Sequence, residues 1–368
     1  MIRVALIGLG KMGISHHAII NTHPDAELVA VCDSAAYVLD VLRKYTGVRC
    51  YADFLALLDQ EKPDALFIAT PSRFHGEMVK AALDRNMHVF CEKPFSLDPA
   101  EGKTLVSIAE QKRLVTQVGY HYRFVASFQE MKRLLAAGVL GQIHHIRSEV
   151  YGSVVLRPQG STWRTRREEG GGCLYDYASH AVDLVNYLVG APDAVGGSVL
   201  NKLFSRDVED EVYSTFYYGN GMTAQVAANW SDDSYRKITA KVTVWGTKGR
   251  ITGDRQELQI YLCDAGNTSY GLNKGWNVRY TTELTKDVWF YLRGEEYSAQ
   301  IDHFLQCIKI NGCGENISPF ASAARTDDVL AMILRDSGTA RARAHAPDTA
   351  KLASGGTQGL LRRIFSRR

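Results

Sequence analysis

A lysine, an aspartate and a histidine carry the chemistry that this sequence can do. Lys93 stands in Cys91-Glu92-Lys93-Pro94, directly after an apolar run from Met87 that reads as a buried parallel strand. Open α/β sheets place ligands at the carboxyl ends of such strands, and the proline fixes the turn that carries the lysine. Asp176 and His180 come much later, four residues apart in a segment with helical periodicity. An imidazole exchanges protons near neutrality and an ammonium stabilises a developing alkoxide. Together they suit a hydride-transfer site, with His180 exchanging the proton, Lys93 holding the oxygen and Asp176 positioning the substrate or tuning His180.

The elements that must position Lys93 begin at the N-terminus. Arg3 to Ile7 is a short apolar strand that runs into Gly8-Leu9-Gly10-Lys11-Met12-Gly13, after which the chain turns helical. This is a GxGxxG loop between a strand and a helix, where glycines allow a tight turn and close approach to a pyrophosphate, and the helix supplies amide donors. A second apolar run, Leu28 to Cys32, ends in Asp33, a carboxylate placed to bind ribose hydroxyls and repel a 2′-phosphate. NAD is therefore favoured over NADP, although Arg43 and Lys44 follow on the next helix. The alternation continues with helices 53–59, 74–85 and 99–111 and strands 65–69, 87–91 and 114–118, which predicts a doubly wound parallel sheet. Thr70-Pro71 stands at another strand end and should border the nicotinamide. His75 could reach the same cleft, although a histidine at a helix start is more often structural.

A chain of 368 residues fits two domains. Its hydrophobic content of 45% and charged content of 23% are those of a globular protein. There is no membrane-length apolar run and no signal-peptide pattern, which points to the cytoplasm. The seven cysteines are scattered without a Cys-x-x-Cys pair, so neither a disulfide framework nor a metal site is expected. Of the net charge of +3, Arg362, Arg363, Arg367 and Arg368 supply four positive charges and leave −1 for the rest. Nucleic-acid binding is not indicated. The apolar and basic terminal segment permits weak contact with an anionic membrane surface, but a mobile tail is the favoured reading.

After Gly119 the rhythm changes. A helix over 124–137 precedes alternating runs at 194–204, 212–218, 222–230 and 239–245, which read as an antiparallel sheet; helices over 297–310 and 321–337 are expected to close this second domain. Before the sheet, Gly170-Gly171-Gly172 leads into a helix whose apolar stripe is Leu174, Tyr177, Ala178, Ala181, Val182, Val185 and Leu188. Asp176, His180 and Asp183 share the opposite face, which on an arbitrary helix would simply be solvated; the three glycines favour close approach of a backbone or a ligand. Ahead of them, Arg157, Arg164, Arg166 and Arg167 with Trp163 could bind an anionic substrate or be surface residues paired with Glu168 and Glu169.

The set Gly8 to Gly13, Ala69-Thr70-Pro71, Glu92-Lys93-Pro94, Gly170 to Asp183 and Trp245-Gly246-Thr247-Lys248-Gly249 resembles the glucose-fructose oxidoreductase and inositol dehydrogenase family of NAD(P)-dependent enzymes. The resemblance implies a Rossmann domain over 1–120, then an α+β domain over 121–340 with a large, open, mostly antiparallel sheet often used for dimer or tetramer contacts. A basic tail over 341–368 lies outside it. It further implies that Lys93, Asp176 and His180 surround the reacting carbon. The cofactor set is then Gly8, Gly10, Lys11, Met12, Gly13, Asp33, Thr70, Pro71, His75, Glu92 and Lys93, and the substrate set Lys93, Arg164, Asp176 and His180. The expected activity is hydride transfer between nicotinamide and a secondary alcohol or ketone of a sugar, polyol or nucleotide-linked sugar, with a lean toward an anionic substrate. An NAD-dependent redox glycoside hydrolase and a non-catalytic dinucleotide-binding sensor are the alternatives.

Overall fold

The computed structural model describes residues 1–158, 160, 162–264, 268–310 and 316–344. The first half alternates β1 (Ile2–Ile7), α1 (Lys11–Asn21), β2 (Ala26–Cys32), α2 (Ala36–Thr46), β3 (Arg49–Tyr51), α3 (Phe54–Glu61), β4 (Ala65–Ile68), α4 (His75–Asp84), β5 (His88–Cys91), α5 (Pro99–Gln111) and β6 (Thr116–Val118). The strands form one parallel sheet in the order β3-β2-β1-β4-β5-β6. Caps fix where the helices begin: Asp53 accepts from Ala56 N at 2.7 Å and Asp98 from Ala100 N at 2.9 Å. The short β3 had no signal of its own in the sequence.

Both faces of this sheet are covered, which is why β4 is apolar at every position and β1, β2 and β5 carry apolar residues on both faces. Val4, Leu6, Ala65 and Phe67 enter one core, and Ala5, Ile7, Leu66 and Ile68 the other. Successive strand residues thus serve opposite faces.

The second half contains α6 (Ala126–Ala136), β7 (Ile143–Tyr151), α7 (Ser179–Val189), β8 (Ala194–Asn201), β9 (Glu211–Tyr217), β10 (Thr223–Asn229), β11 (Thr239–Gly246), β12 (Gly249–Gly253), β13 (Glu257–Leu262), β14 (Gly275–Tyr280), α8 (Thr281–Leu284), α9 (Glu295–Lys309) and α10 (Phe320–Ala344). Its eight strands run β14-β13-β12-β11-β7-β10-β9-β8, with β7 and β10 parallel and the other neighbours antiparallel. One face is buried under α6, α7 and part of α10. The other bears polar side chains and, toward β14, the exposed Trp276, Val278 and Tyr280.

Two expectations change. Helix α9 was expected to close the second domain, but its Tyr297, Ile301, Phe304 and Leu305 are buried on the parallel sheet. Phe304 meets the stacked rings of Phe67 and Phe90 at 5.3 and 6.0 Å. Period alone says that a helix has an apolar face; it does not say which sheet receives it. No disulfide framework is expected from the sequence, yet Cys307 is disulfide-bonded, whereas Cys32, Cys91 and Cys173 are free and buried. Residues 341–344 continue α10, and the rest of the expected tail lies outside the described residues.

Because Phe304 is fully buried, Phe304→Ala is expected to lower the unfolding free energy by about 3–5 kcal/mol. The check is chemical denaturation, with a lower midpoint and an unchanged slope; an unshifted midpoint would mean that α9 is not part of this core.

Candidate active site

The site lies at the carboxyl edge of the parallel sheet. The strand order turns back between β1 and β4; Gly8 and Thr70 follow the strand ends that flank this switch point, and Lys93 and Tyr120 follow the ends of β5 and β6 along the same edge. The loops there are tied to one another. Gly8 has φ +90°, and a Cβ on it would come within 2.6 Å of the Ala69 carbonyl. A Cβ on Gly13 would lie 1.8 Å from Gly8 O, so this glycine lets α1 pack on its own loop. A Cβ on Gly10, in contrast, meets nothing within 4 Å. Gly10 therefore faces open space at the start of α1, whose N-terminus has no side-chain cap. Asp33 is held at the adjacent mouth by Leu9 N at 2.5 Å and Ala35 N at 2.8 Å. A glycine cradle, uncapped helix amides and an oriented carboxylate fit a dinucleotide pyrophosphate and ribose. Lys11 and Met12 open the helix at this mouth, with Lys11 exposed and Met12 half-buried. Arg43 pairs with Asp40 at 2.8 Å on the exposed side of α2.

Two residues assigned to the cofactor set occupy other positions. His75 is fully buried, with Nδ1 2.8 Å from Pro94 O and Nε2 3.1 Å from Thr70 O. It links the loop after β4 to the loop after β5 and does not face the cleft. Glu92 turns toward α1, where Oε1 lies 2.7 Å from His16 Nε2, while its Oε2 accepts from Lys93 N at 3.3 Å. Burial would raise the Glu92 carboxyl, but His16 and Lys93 outweigh it and hold it below the usual range. Thr70 and Pro71 remain at the strand end, with Thr70 half-buried and Pro71 exposed.

Lys93 and Asp176 do meet. Lys93 Nζ donates to Asp176 Oδ1 and to Asp176 O, both at 2.8 Å, and Arg164 Nε reaches Oδ2 at 3.3 Å. Burial pushes the Asp176 carboxyl up, but Lys93 and Arg164 oppose it more strongly, and the net direction is down. Asp176 lies in a π-helical turn, Leu174–Ala178, that precedes α7, a local widening with no sequence signal. His180 is the second residue of α7 and is 3% exposed. Neither of its ring nitrogens hydrogen-bonds a described residue, and its ring lies edge-on to His121 and Tyr122 at 5.0 Å and Tyr120 at 6.0 Å. Burial depresses its pKa far below the usual histidine value, with the charges of Lys93 and His121 acting the same way. The imidazole is therefore neutral and free to accept a proton.

The seven stripe residues of this helix all lie in the second core, but the polar face is not solvated. Asp183, which shares that face with Asp176 and His180, is 1% exposed and held by Arg123, with Nη2 to Oδ1 at 2.5 Å and Nε to Oδ2 at 2.8 Å. The glycines before the helix admit backbone: a Cβ on Gly171 would strike the carbonyls of Trp163, Arg164 and Arg166, and one on Gly172 the Glu209 carboxylate. The arginine loop is largely neutralised by carboxylates. Arg164 meets Asp176 and stacks 4.5 Å over Trp163, Arg166 lies 3.7 Å from Glu169, and Arg167 pairs with the buried Glu209. Among residues missed from sequence, His121, Tyr122 and Arg123 follow β6 directly; the strand-end rule that found Lys93 applies to them equally.

A doubly wound sheet with a glycine cradle, closed over by a lysine, an aspartate and a neutral histidine, defines a dinucleotide-dependent oxidoreductase. Residues 2–120 match the oxidoreductase family with the NAD-binding Rossmann fold, and residues 128–252 the GFO/IDH/MocA C-terminal domain. The chain is 30% identical over 269 residues to D-glucoside 3-dehydrogenase of Escherichia coli (strain K12), covering 68% of this chain and 76% of that one. It is 26% identical to scyllo-inositol 2-dehydrogenase (NAD(+)) of Bacillus subtilis (strain 168), covering 84% and 86%. The fold superposes on levoglucosan dehydrogenase in complex with NADH and levoglucosan with a TM-score of 0.80 at 22% identity, over 92% of this chain and 97% of that one. The chain belongs to the glucose-fructose oxidoreductase and inositol dehydrogenase family of NAD-binding oxidoreductases.

The glycines make separable predictions. Gly10→Ala should melt like the parent yet bind NADH about tenfold more weakly or worse, a cost of about 1.4 kcal/mol, whereas Gly13→Ala should lower the melting temperature itself. Thermal melts beside fluorescence titration with NADH distinguish the two; normal NADH affinity in Gly10→Ala would remove the cradle from this loop.

Proposed function

We propose that the enzyme oxidises a secondary alcohol of a neutral sugar, glycoside or polyol, and reduces the ketone in reverse. The observation that carries this reading is a trio: a part-buried lysine fixed on Asp176 beside a buried, unpaired neutral imidazole, at the carboxyl edge of the NAD-binding sheet. Gly8, Gly10, Lys11, Met12, Gly13, Asp33, Thr70 and Pro71 are assigned to cofactor binding. Bound NAD supplies the acceptor for the hydride leaving the carbinol carbon. His180 takes the hydroxyl proton. Lys93 has three N–H donors; two are spent on Asp176, and the third is left for the substrate oxygen. Asp176 aims that donor and, with Arg164, borders the substrate.

Arg164, Arg166 and Arg167 each face a carboxylate, of Asp176, Glu169 and Glu209, which weakens the reason to expect an anionic substrate. The names of the two relatives, a glucoside and an inositol dehydrogenase, support a neutral one. The exposed Trp276, Val278 and Tyr280 of β14, with Tyr261 5.2 Å from Trp276, suit pairing of two copies through the open sheet, which analytical ultracentrifugation measures.

A panel of neutral and acidic sugars, glycosides and polyols with NAD or NADP, followed by absorbance of the reduced cofactor, tests the reading. Ketone formed one-for-one with NADH is expected; net glycoside cleavage without cofactor turnover would replace it with hydrolysis. Lys93→Met and His180→Ala are each expected to reduce kcat by about 10²–10⁴ while still binding NADH. A His180→Ala protein with undiminished kcat would remove the proton-transfer role. Because the folded His180 value lies below its ordinary ~6.5, the base form persists to lower pH. The kcat/KM for oxidation should therefore stay level through the usual histidine range and fall only in more acidic buffer; an inflection near pH 6.5 would contradict this.

A further inference from the structure

Helix α10 crosses from one core to the other. Its Phe320, Ala323 and Ala324 are buried with the parallel sheet, and Val329, Leu330 and Ile333 with the second sheet. Thr326 and Asp327 sit at the crossing, 0% and 3% exposed. Each reaches one half of the site. Asp327 Oδ2 accepts from Ser96 N at 3.0 Å, three residues after Lys93. Thr326 Oγ1 donates to Asp183 Oδ1 at 3.2 Å, three residues after His180 and on the same helix. Two further bonds brace the crossing: Asn186 Nδ2 donates to Thr326 Oγ1 at 3.2 Å, and Arg123, which grips Asp183, donates to Ser322 Oγ at 2.7 Å.

We propose that Thr326 and Asp327 are positioning residues that fix the separation of Lys93 from His180 by pinning the two carriers to one rigid helix. The proposal rests on the hydride-transfer reading above. Neither side chain touches the reacting atoms, and both act through hydrogen bonds to the segments that bear them. Apolar packing would suffice to join the two cores, and polar groups at the junction each cost desolvation. Their return is register, since a misplacement of about 1 Å at a reacting centre costs about 10²-fold. Burial pushes the Asp327 carboxyl well up, with the Ser96 amide acting against it, and asparagine reproduces its shape and its acceptor.

The test compares kcat, KM and NADH affinity in the parent, Asp327→Ala, Asp327→Asn, Thr326→Val and Lys103→Ala. Lys103 joins Asp328 at 2.8 Å on the exposed side of α10 and serves as the control. Asp327→Ala and Thr326→Val should lose about 10- to 100-fold in kcat with KM and NADH affinity nearly unchanged, while Asp327→Asn recovers most of the activity and Lys103→Ala matches the parent. Parental kcat in Asp327→Ala, or equal loss in its Asn and Ala forms, overturns the proposal. If Asp327→Ala does not fold, Thr326→Val decides: its isosteric side chain lacks the donor, and parental kcat there is equally fatal. A parent that reduces no NAD with any sugar sinks the hydride-transfer reading and this proposal with it, whereas an active parent with active variants sinks the positioning role alone.

Discussion

The contact between Lys93 Nζ and Asp176 is the constraint on which the site depends. Each residue comes from a different sheet's connections, and neither half alone has the geometry. A buried ion pair costs several kcal/mol per ion in lost hydration and is favoured only when the remaining donors and acceptors are filled. Here all but one are: the ammonium meets a carboxylate oxygen and a backbone carbonyl of the same residue, and Arg164 takes the second carboxylate oxygen. Two fixed bonds leave the third N–H one direction. Under the proposed assignment the pair works less as a source of stability than as an aiming device.

Aiming requires that the loop bearing Lys93 does not move, and the neighbouring contacts serve that end. His75 lies against carbonyls of two strand-end loops, Glu92 joins the β5 end to α1 through His16, and Gly8 lets the β1 loop lie against Ala69. On the opposing side Glu209 accepts from Leu174 N at 2.9 Å and pairs with Arg167, which holds the glycine turn before Asp176. Supporting contacts of this kind keep reactive groups within about 0.5 Å of a working geometry.

Much of this was legible in the sequence. Gly8 to Gly13, Asp33, Lys93, Asp176 and His180 are local signals: a strand, then a residue whose chemistry makes sense at its end. What could not be read is which buried polar group finds which partner across long sequence separations. Asp183 shares a helix with His180, yet its partner is Arg123, 60 residues away. His75 and Glu92 carry the right chemistry for a cofactor but are spent on holding loops. The arginine loop illustrates the same limit, because its partner Glu209 lies 42 residues on. Helix α9 failed for a related reason, since periodicity reveals an apolar face and not its destination.

Under the proposed assignment, one charge acts on both ends of the proton transfer. Lys93 depresses His180, which makes the histidine a weaker base. The same ammonium, in direct contact with the substrate oxygen, would make the hydroxyl a stronger acid. Coulomb energy falls with distance, so the group in hydrogen-bond contact is shifted more than the imidazole, whose ring makes no hydrogen bond to Lys93. The net effect narrows the gap between donor and acceptor.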